Sequence, residues 1–349
     1  MSAGTVDRPL VSVVVATNRG GPFLAEALDS VEAQTYPRIE VVLVDDGSED
    51  PEAIRRIVAG RPTTTVVRQS AGGVSTARNV GVSHTRGELL VFLDDDDRWH
   101  PQRIELQVEA MADGSVVASY CGMRTVGVDG EELVAADQHQ VRDVHDVLRR
   151  TMGIILPNLM TRRDTFVRVG GFHPAFRRAQ DLDLVIRLAL AGDLRFVDRT
   201  LVDYRRHGNN NTRRYRELCR SIDHVVRLHA WAAYERGRED LVADYRASLA
   251  RNRRYAAWRA TASAREHARR GRPGAAVGDL VWLARFAPRA PVDWLAERTR
   301  RLRAASERGV AAPDVPAPGA SAADVPAAQV RATDGTTPGV TAPTPAARR

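Results

Sequence analysis

Lysine is absent from the 349-residue sequence: all 51 Lys and Arg positions are arginine. A P-loop, whose lysine reaches the nucleotide phosphates, is therefore excluded. Cysteine is nearly absent too. Cys121 and Cys219 stand far apart and form neither a disulfide framework nor a CxxC metal site, so a reducing, cytoplasmic setting is expected. No apolar run approaches the roughly 20 residues that span a bilayer, and the run at 10–16 is short even for a signal-peptide core. The sequence thus reads as a soluble protein, or one that rests on a membrane surface. The dinucleotide fingerprint GxGxxG is also missing after the first apolar run, where the chain reads ATNRGGPF.

What charge there is falls unevenly. Residues 1–212 carry 25 Arg against 30 acids, whereas residues 213–310 carry 23 Arg against 11. This asymmetry separates an acidic unit, 1–212, from a basic, helix-patterned one, 213–310. Residues 311–349 are rich in Ala, Pro and Thr and lack aromatics. They cannot bury enough apolar surface to offset ordering entropy and read as a disordered tail.

In the first unit, four β-branched or apolar runs of strand length (10–15, 40–44, 65–67 and 89–93) alternate with three helical patterns. The helices read as GPFLAEALDSVEAQTYP, Pro51–Ala59 and VSTARNVGVSH. Such alternation predicts a parallel sheet with helices on its faces, whose ligand sits beyond the carboxyl ends of the strands. Those ends carry polar clusters: Thr17-Asn18-Arg19, Asp45-Asp46-Gly47-Ser48 and the four aspartates Asp94–Asp97. Adjacent carboxylates suit a hard divalent cation, Mn²⁺ or Mg²⁺, which typically bridges protein oxygens to a diphosphate. A nucleotide diphosphate held through a metal is the occupant this chemistry favours.

The ordered set VSVVVATNRGGPF…VVLVDDGSED, AGGVSTARNVGVSHTRGELLVFLDDDDRWHP and VGGFHPAFRRAQDLDLVIRLALAG resembles the family-2 glycosyltransferases of the GT-A fold over about residues 9–212. The resemblance implies an inverting, non-processive transfer of a sugar from a nucleotide diphosphate sugar to an acceptor hydroxyl. It further implies donor contacts from Thr17, Asp45, Asp46, Arg78 and Asp94, and a metal held by Asp94, Asp96 and His207. Asp95 then fills the variable place of the Asp-x-Asp motif. Asp181 becomes the general base, with Gln180 standing where the family has a first acid. The apolar face of its helix is read as Leu182, Ile186 and Ala189, with Val185 and Leu190 beside it.

Simpler roles exist for the same residues: an Asx turn for Asp45, a surface position for Arg78, a helix cap for Asp181. Two other functions compete with transfer. A sugar nucleotidyltransferase needs a Gly-rich phosphate loop with lysine, which is missing; a non-catalytic nucleotide-sugar-binding protein would not need Asp181. Processive synthases are disfavoured by the lack of a QxxRW element and membrane spans. The acceptor can be a glycan, lipid-linked or small molecule, in cell-envelope polysaccharide, glycolipid or other glycoconjugate synthesis. For residues 213–310, packing on the catalytic unit is favoured over a peripheral anionic-membrane contact suggested by arginines interleaved with Trp231, Trp258, Trp282 and Trp294. Nucleic acid is unlikely, since no recognition motif accompanies the charge. Residues around Gly122–Pro157 read as substrate-selecting loops.

Overall fold

The computed structural model describes residues 8–151, 153–207 and 214–289. Strands β1 (Val11–Thr17), β2 (Ile39–Asp46), β3 (Thr64–Gln69) and β4 (Leu89–Asp94) alternate with helices α1 (Pro22–Glu32), α2 (Pro51–Val58) and α3 (Val74–Ser83). Central strands β1, β2 and β4 are buried on both faces, which is why they read as continuous apolar runs rather than alternating ones. The parallel register pairs Thr17 with Asp45 and Ala16 with Asp94. Three strands therefore end level, and their polar termini share one edge.

Beyond this point the sheet is mixed rather than wholly parallel. The chain continues through β5 (Arg98–Trp99), α4 (Arg103–Ala110), β6 (Val116–Val126), β7 (Glu132–Val134) and α5 (Val144–Leu148). A short 3₁₀ turn (Leu156–Asn158), β8 (Leu159–Arg162), α6 (Arg163–Arg168), α7 (Gln180–Ala189) and β9 (Asp193–Arg205) complete the unit. The strand order is β3-β2-β1-β4-β8-β6-β9-β5, with β7 beside β6. Strand β8 runs antiparallel to both β4 and β6. The segment around Gly122 is thus not a loop but the middle of an eleven-residue strand. Its sequence, VVASYCGMRTV, mixes small and polar residues with apolar ones, so neither alternation nor a clean apolar run marks it.

Close packing positions the third helix. A Cβ at Gly81 would collide with Val14 Cγ1 of β1 and lie 3.2 Å from Val44 Cγ2 of β2. Only glycine lets α3 approach the sheet this closely and carry Arg78 to the strand ends. Gly81→Ala is expected to cost about 1–3 kcal/mol of stability, the usual range for overpacking a filled core; urea unfolding checks it.

Three helices follow: α8 (Tyr215–Glu235), α9 (Glu239–Arg269) and α10 (Pro273–Phe286). Ile222, Val225 and Val226 of α8 join Leu241, Tyr245 and Leu249 of α9 in a core shared with Leu148, Phe176 and Ile186. The helical region therefore packs on the first unit. Helix α7 lies between two cores: Leu184, Val185 and Leu188 face the sheet, while Leu182 and Ile186 face α8 and α9. This corrects the single face read from the sequence, and Leu190 is exposed. Trp282 is buried, and Trp258, partly buried, packs against the same core. Trp231, on α8, is 63% exposed. Trp294, the expected boundary at 212 and the expected tail lie outside the described residues. Among the described residues, no helix is long and apolar enough to cross a membrane.

Candidate active site

A cavity of about 900 Å³ opens at the carboxyl ends of β1, β2 and β4. Thr17, Asp46, Arg78, Asp94, Asp95 and Asp96 line it, together with Gln180 and Asp181. The chain turns after β4, sending the four aspartates in four directions. Asp94 pairs with the buried Arg78 guanidinium. Asp95 accepts from Thr17 Oγ1 at 2.6 Å and from Arg19 Nη2 at 3.1 Å. Asp96 lies 2.7 Å from His207 Nε2 and 3.4 Å from Arg19 Nη2. Asp97 turns inward and is fully buried, its Oδ1 accepting from the Arg205 backbone N–H at 2.9 Å.

These neighbours set the electrostatics. Burial and repulsion from Asp94 and Asp95 push the Asp96 carboxyl up to about 6, against the pull of His207. Burial and the three adjacent carboxylates hold the Asp97 carboxyl well above the ordinary range. Ionising Asp96 and Asp97 is thus unfavourable, a cost that a divalent cation would offset. Among the described residues, no group of three or more His, Cys, Asp or Glu is arranged to hold a metal ion by itself. A Mg²⁺-like ion takes one or two protein carboxylates and fills its shell with water and substrate phosphates. Asp94 and Asp96 fit that partial set.

Asp46 accepts from the backbone N–H groups of Gly72 and Gly73 at 2.7 and 2.9 Å and from Gln69 Nε2 at 2.8 Å. It thereby fixes the glycine loop that leads into α3. Asp45 is not brought to the cavity. Its carboxylate closes an Asx turn with the Ser48 N–H at 2.8 Å, pairs with Arg68, and lines a separate depression of about 170 Å³. Thr17 is at the cavity, but its buried hydroxyl is engaged by Asp95 and by the Arg19 carbonyl at 2.7 Å. It positions the acidic row.

Asp181 is half-buried in the first turn of α7, its Oδ1 accepting from the Leu182 N–H at 2.8 Å. The N-cap position belongs to Ala179, so Asp181 is not the cap. Burial raises its carboxyl pKa, helped by the charge of Asp94 and opposed by the Leu182 N–H and Arg78. Asp183 faces the other way and holds Arg187 and, at 2.8 Å, His229 of α8. The Gln180 side-chain oxygen is buried with no hydrogen-bond partner among the described residues.

Sequence reasoning missed the clamp that Asp95 and Arg19 make, although Arg19 stood in the strand-end cluster; four identical aspartates hide which one turns where. It also missed Arg150 and Arg177, which line the cavity and carry no motif.

Residues 12–181 match the family described as Glycosyl transferase family 2. An uncharacterized glycosyltransferase of Rickettsia typhi is 27% identical over 216 residues, which is 58% of this chain and 66% of that protein. The chain thus spans just under two thirds of that relative. TuaG of Bacillus subtilis, named for teichuronic acid biosynthesis, is 27% identical over 213 residues, 58% of this chain and 81% of its own length. Residues 1–349 of S. aureus TarS superpose with a TM-score of 0.54 at 19% identity, covering 68% of this chain and 70% of that structure. At that identity the likeness speaks for the fold, which is GT-A-like. The family match covers residues 12–181, just under half of the chain.

Proposed function

We propose that the protein transfers a sugar, with inversion, from a nucleotide diphosphate sugar to an acceptor hydroxyl. The observation that carries this reading is that Asp94, Asp96 and Arg78 line one cavity together with Asp181. S. aureus TarS has been solved with UDP-GlcNAc at a TM-score of 0.52 to this chain, which makes UDP-sugars the first donors to test. The name of TuaG points to cell-envelope polymers as the context.

The mechanism follows from the side chains. Arg78 is suited to the diphosphate oxygens, since a guanidinium matches their geometry. Asp46 keeps the glycine loop open beside the nucleotide, and Thr17 with Arg19 holds the acidic row in place. A divalent ion on Asp94 and Asp96 would supply Lewis-acid stabilisation of the leaving diphosphate. The acceptor oxygen attacks the anomeric carbon from the face opposite the leaving group while Asp181 takes its proton. The carbon–phosphate-oxygen bond breaks in the same displacement, and the nucleoside diphosphate departs.

A raised Asp181 pKa has a visible consequence. A base must be ionised, so turnover falls as pH drops through that pKa. The acid limb of kcat is expected above the ordinary aspartate value of about 3.9. It should be recorded at saturating donor and metal, which hold Asp96 ionised, and it should vanish from the residual activity of Asp181→Asn. Metal-dependent protection of the full chain from thermal unfolding, screened over nucleotide sugars, tests the donor reading. No protection by any of them would refute it.

A further inference from the structure

Among the described residues, two that are not glycine hold a positive φ: Arg150 at 56° and Ala179 at 55°. L side chains rarely adopt this region, and such strain gathers at functional sites. Both residues line the cavity, and Ala179 is the N-cap of the helix that carries Asp181. Arg150 closes α5. Its N–H donates to the Val147 carbonyl at 2.9 Å and the Thr151 N–H donates to the Asp146 carbonyl at 3.1 Å. These are the two bonds of a Schellman closure, and Arg150 occupies the place glycine normally takes. Glycine would close the helix without strain. The backbone gains nothing from arginine here, so the side chain is what the position retains.

That side chain has company. Arg177 is exposed and Arg178 is held at 2.9 Å by Glu217 of α8; both line the same cavity. Arg177 has no ion-pair partner among the described residues. Arg19 and Arg78, by contrast, are committed to the acidic row. The cavity is therefore lined by two sets of arginines: Arg19 and Arg78 on the acidic row, and a second group, Arg150, Arg177 and Arg178, of which the last two lie just before the helix turn that carries Asp181.

If Asp181 takes the acceptor proton, the acceptor lies against this second group. We infer that this group marks an acceptor subsite and that Arg150 and Arg177 select an acceptor bearing an oxyanion, phosphate or carboxylate, near the reacting hydroxyl. Guanidinium groups pair with either through charge-assisted hydrogen bonds. They would also offset the repulsion between such an acceptor and the donor diphosphate. The inference rests on the glycosyl-transfer reading.

The test uses the full chain saturated with UDP and Mg²⁺, titrated calorimetrically with glucose, glucose 6-phosphate and glucuronate. At least one anionic probe should bind about tenfold or more tightly than glucose. A phosphate-only or glucuronate-only preference identifies which oxyanion is meant, and both support the subsite. Arg150→Gly and Arg177→Gln should each shrink that margin several-fold while UDP affinity stays as in wild type. The thermal midpoint of Arg150→Gly should not fall below wild type, because glycine relaxes the backbone; a structural arginine would show the reverse. Absence of any preference for the anionic probes, measurable binding or not, overturns the inference, as does a margin that survives both substitutions. Failure of UDP itself to bind wild type would instead refute the donor reading, and the subsite would fall with it.

Discussion

Asp181→Asn is expected to lower turnover by a factor of about 10² or more while folding and donor binding stay near wild type. Asparagine keeps the shape and can still accept from the Leu182 N–H, so the local bond at 2.8 Å survives. It cannot accept the acceptor's proton at neutral pH. The cap of α7 is untouched, since that position belongs to Ala179. Asp183→Asn is the natural control and fails differently. Its carboxylate is buried and holds Arg187 and His229, so its loss should cost about 1–3 kcal/mol of stability and leave the chemistry of folded molecules largely intact. Turnover must be followed with a sugar acceptor, because donor hydrolysis by water could mask the loss. Wild-type transfer by Asp181→Asn would return the residue to a structural role.

The difference between those two aspartates shows what the sequence could carry. Positions 181 and 183 lie on opposed sides of any helix, so their separation was legible from periodicity. That α7 sits between two cores was not, because its second core is supplied by α8 and α9, about 40 to 60 residues downstream. The parallel half of the sheet was legible because buried parallel strands announce themselves as apolar runs. Strand β6 was not, since its register depends on β8 and β9 and its residues are small and mixed. The acidic row was legible as a cluster, but which carboxylate meets which partner is fixed by the turn after Asp94 and by Thr17, Arg19 and His207 arriving from elsewhere in the chain. Asp45 shows the same limit: a strand-end acid can as well close a turn as reach a ligand.

The acidic row also gives the second large effect. Asp96→Ala should abolish metal-dependent binding of nucleoside diphosphate, a loss of about 10² or more in affinity, by removing a carboxylate the ion would need. Its carboxyl is pushed up to about 6 by burial and its neighbours, and it lines the cavity, so a cation bound there would relieve it. Asp95→Ala should be milder in metal dependence, because Asp95 is occupied by Thr17 and Arg19. That substitution removes one partner each from Thr17 and Arg19 and should loosen the strand end, which differential scanning calorimetry would register as a lower midpoint. The reverse order of metal dependence in a titration would move the metal-holding pair one residue along the row.

The stereochemistry of a single turnover tests the central reading most directly. Full-length protein with Mn²⁺ or Mg²⁺, an α-linked UDP-sugar and a panel of neutral and anionic acceptors can be followed by NMR of the anomeric proton. Metal-dependent release of UDP with a β-linked product is expected, as one displacement with Asp181 opposite the leaving group requires. An α-linked product would contradict the single displacement, and donor binding without transfer to any acceptor would point to a nucleotide-sugar-binding protein instead.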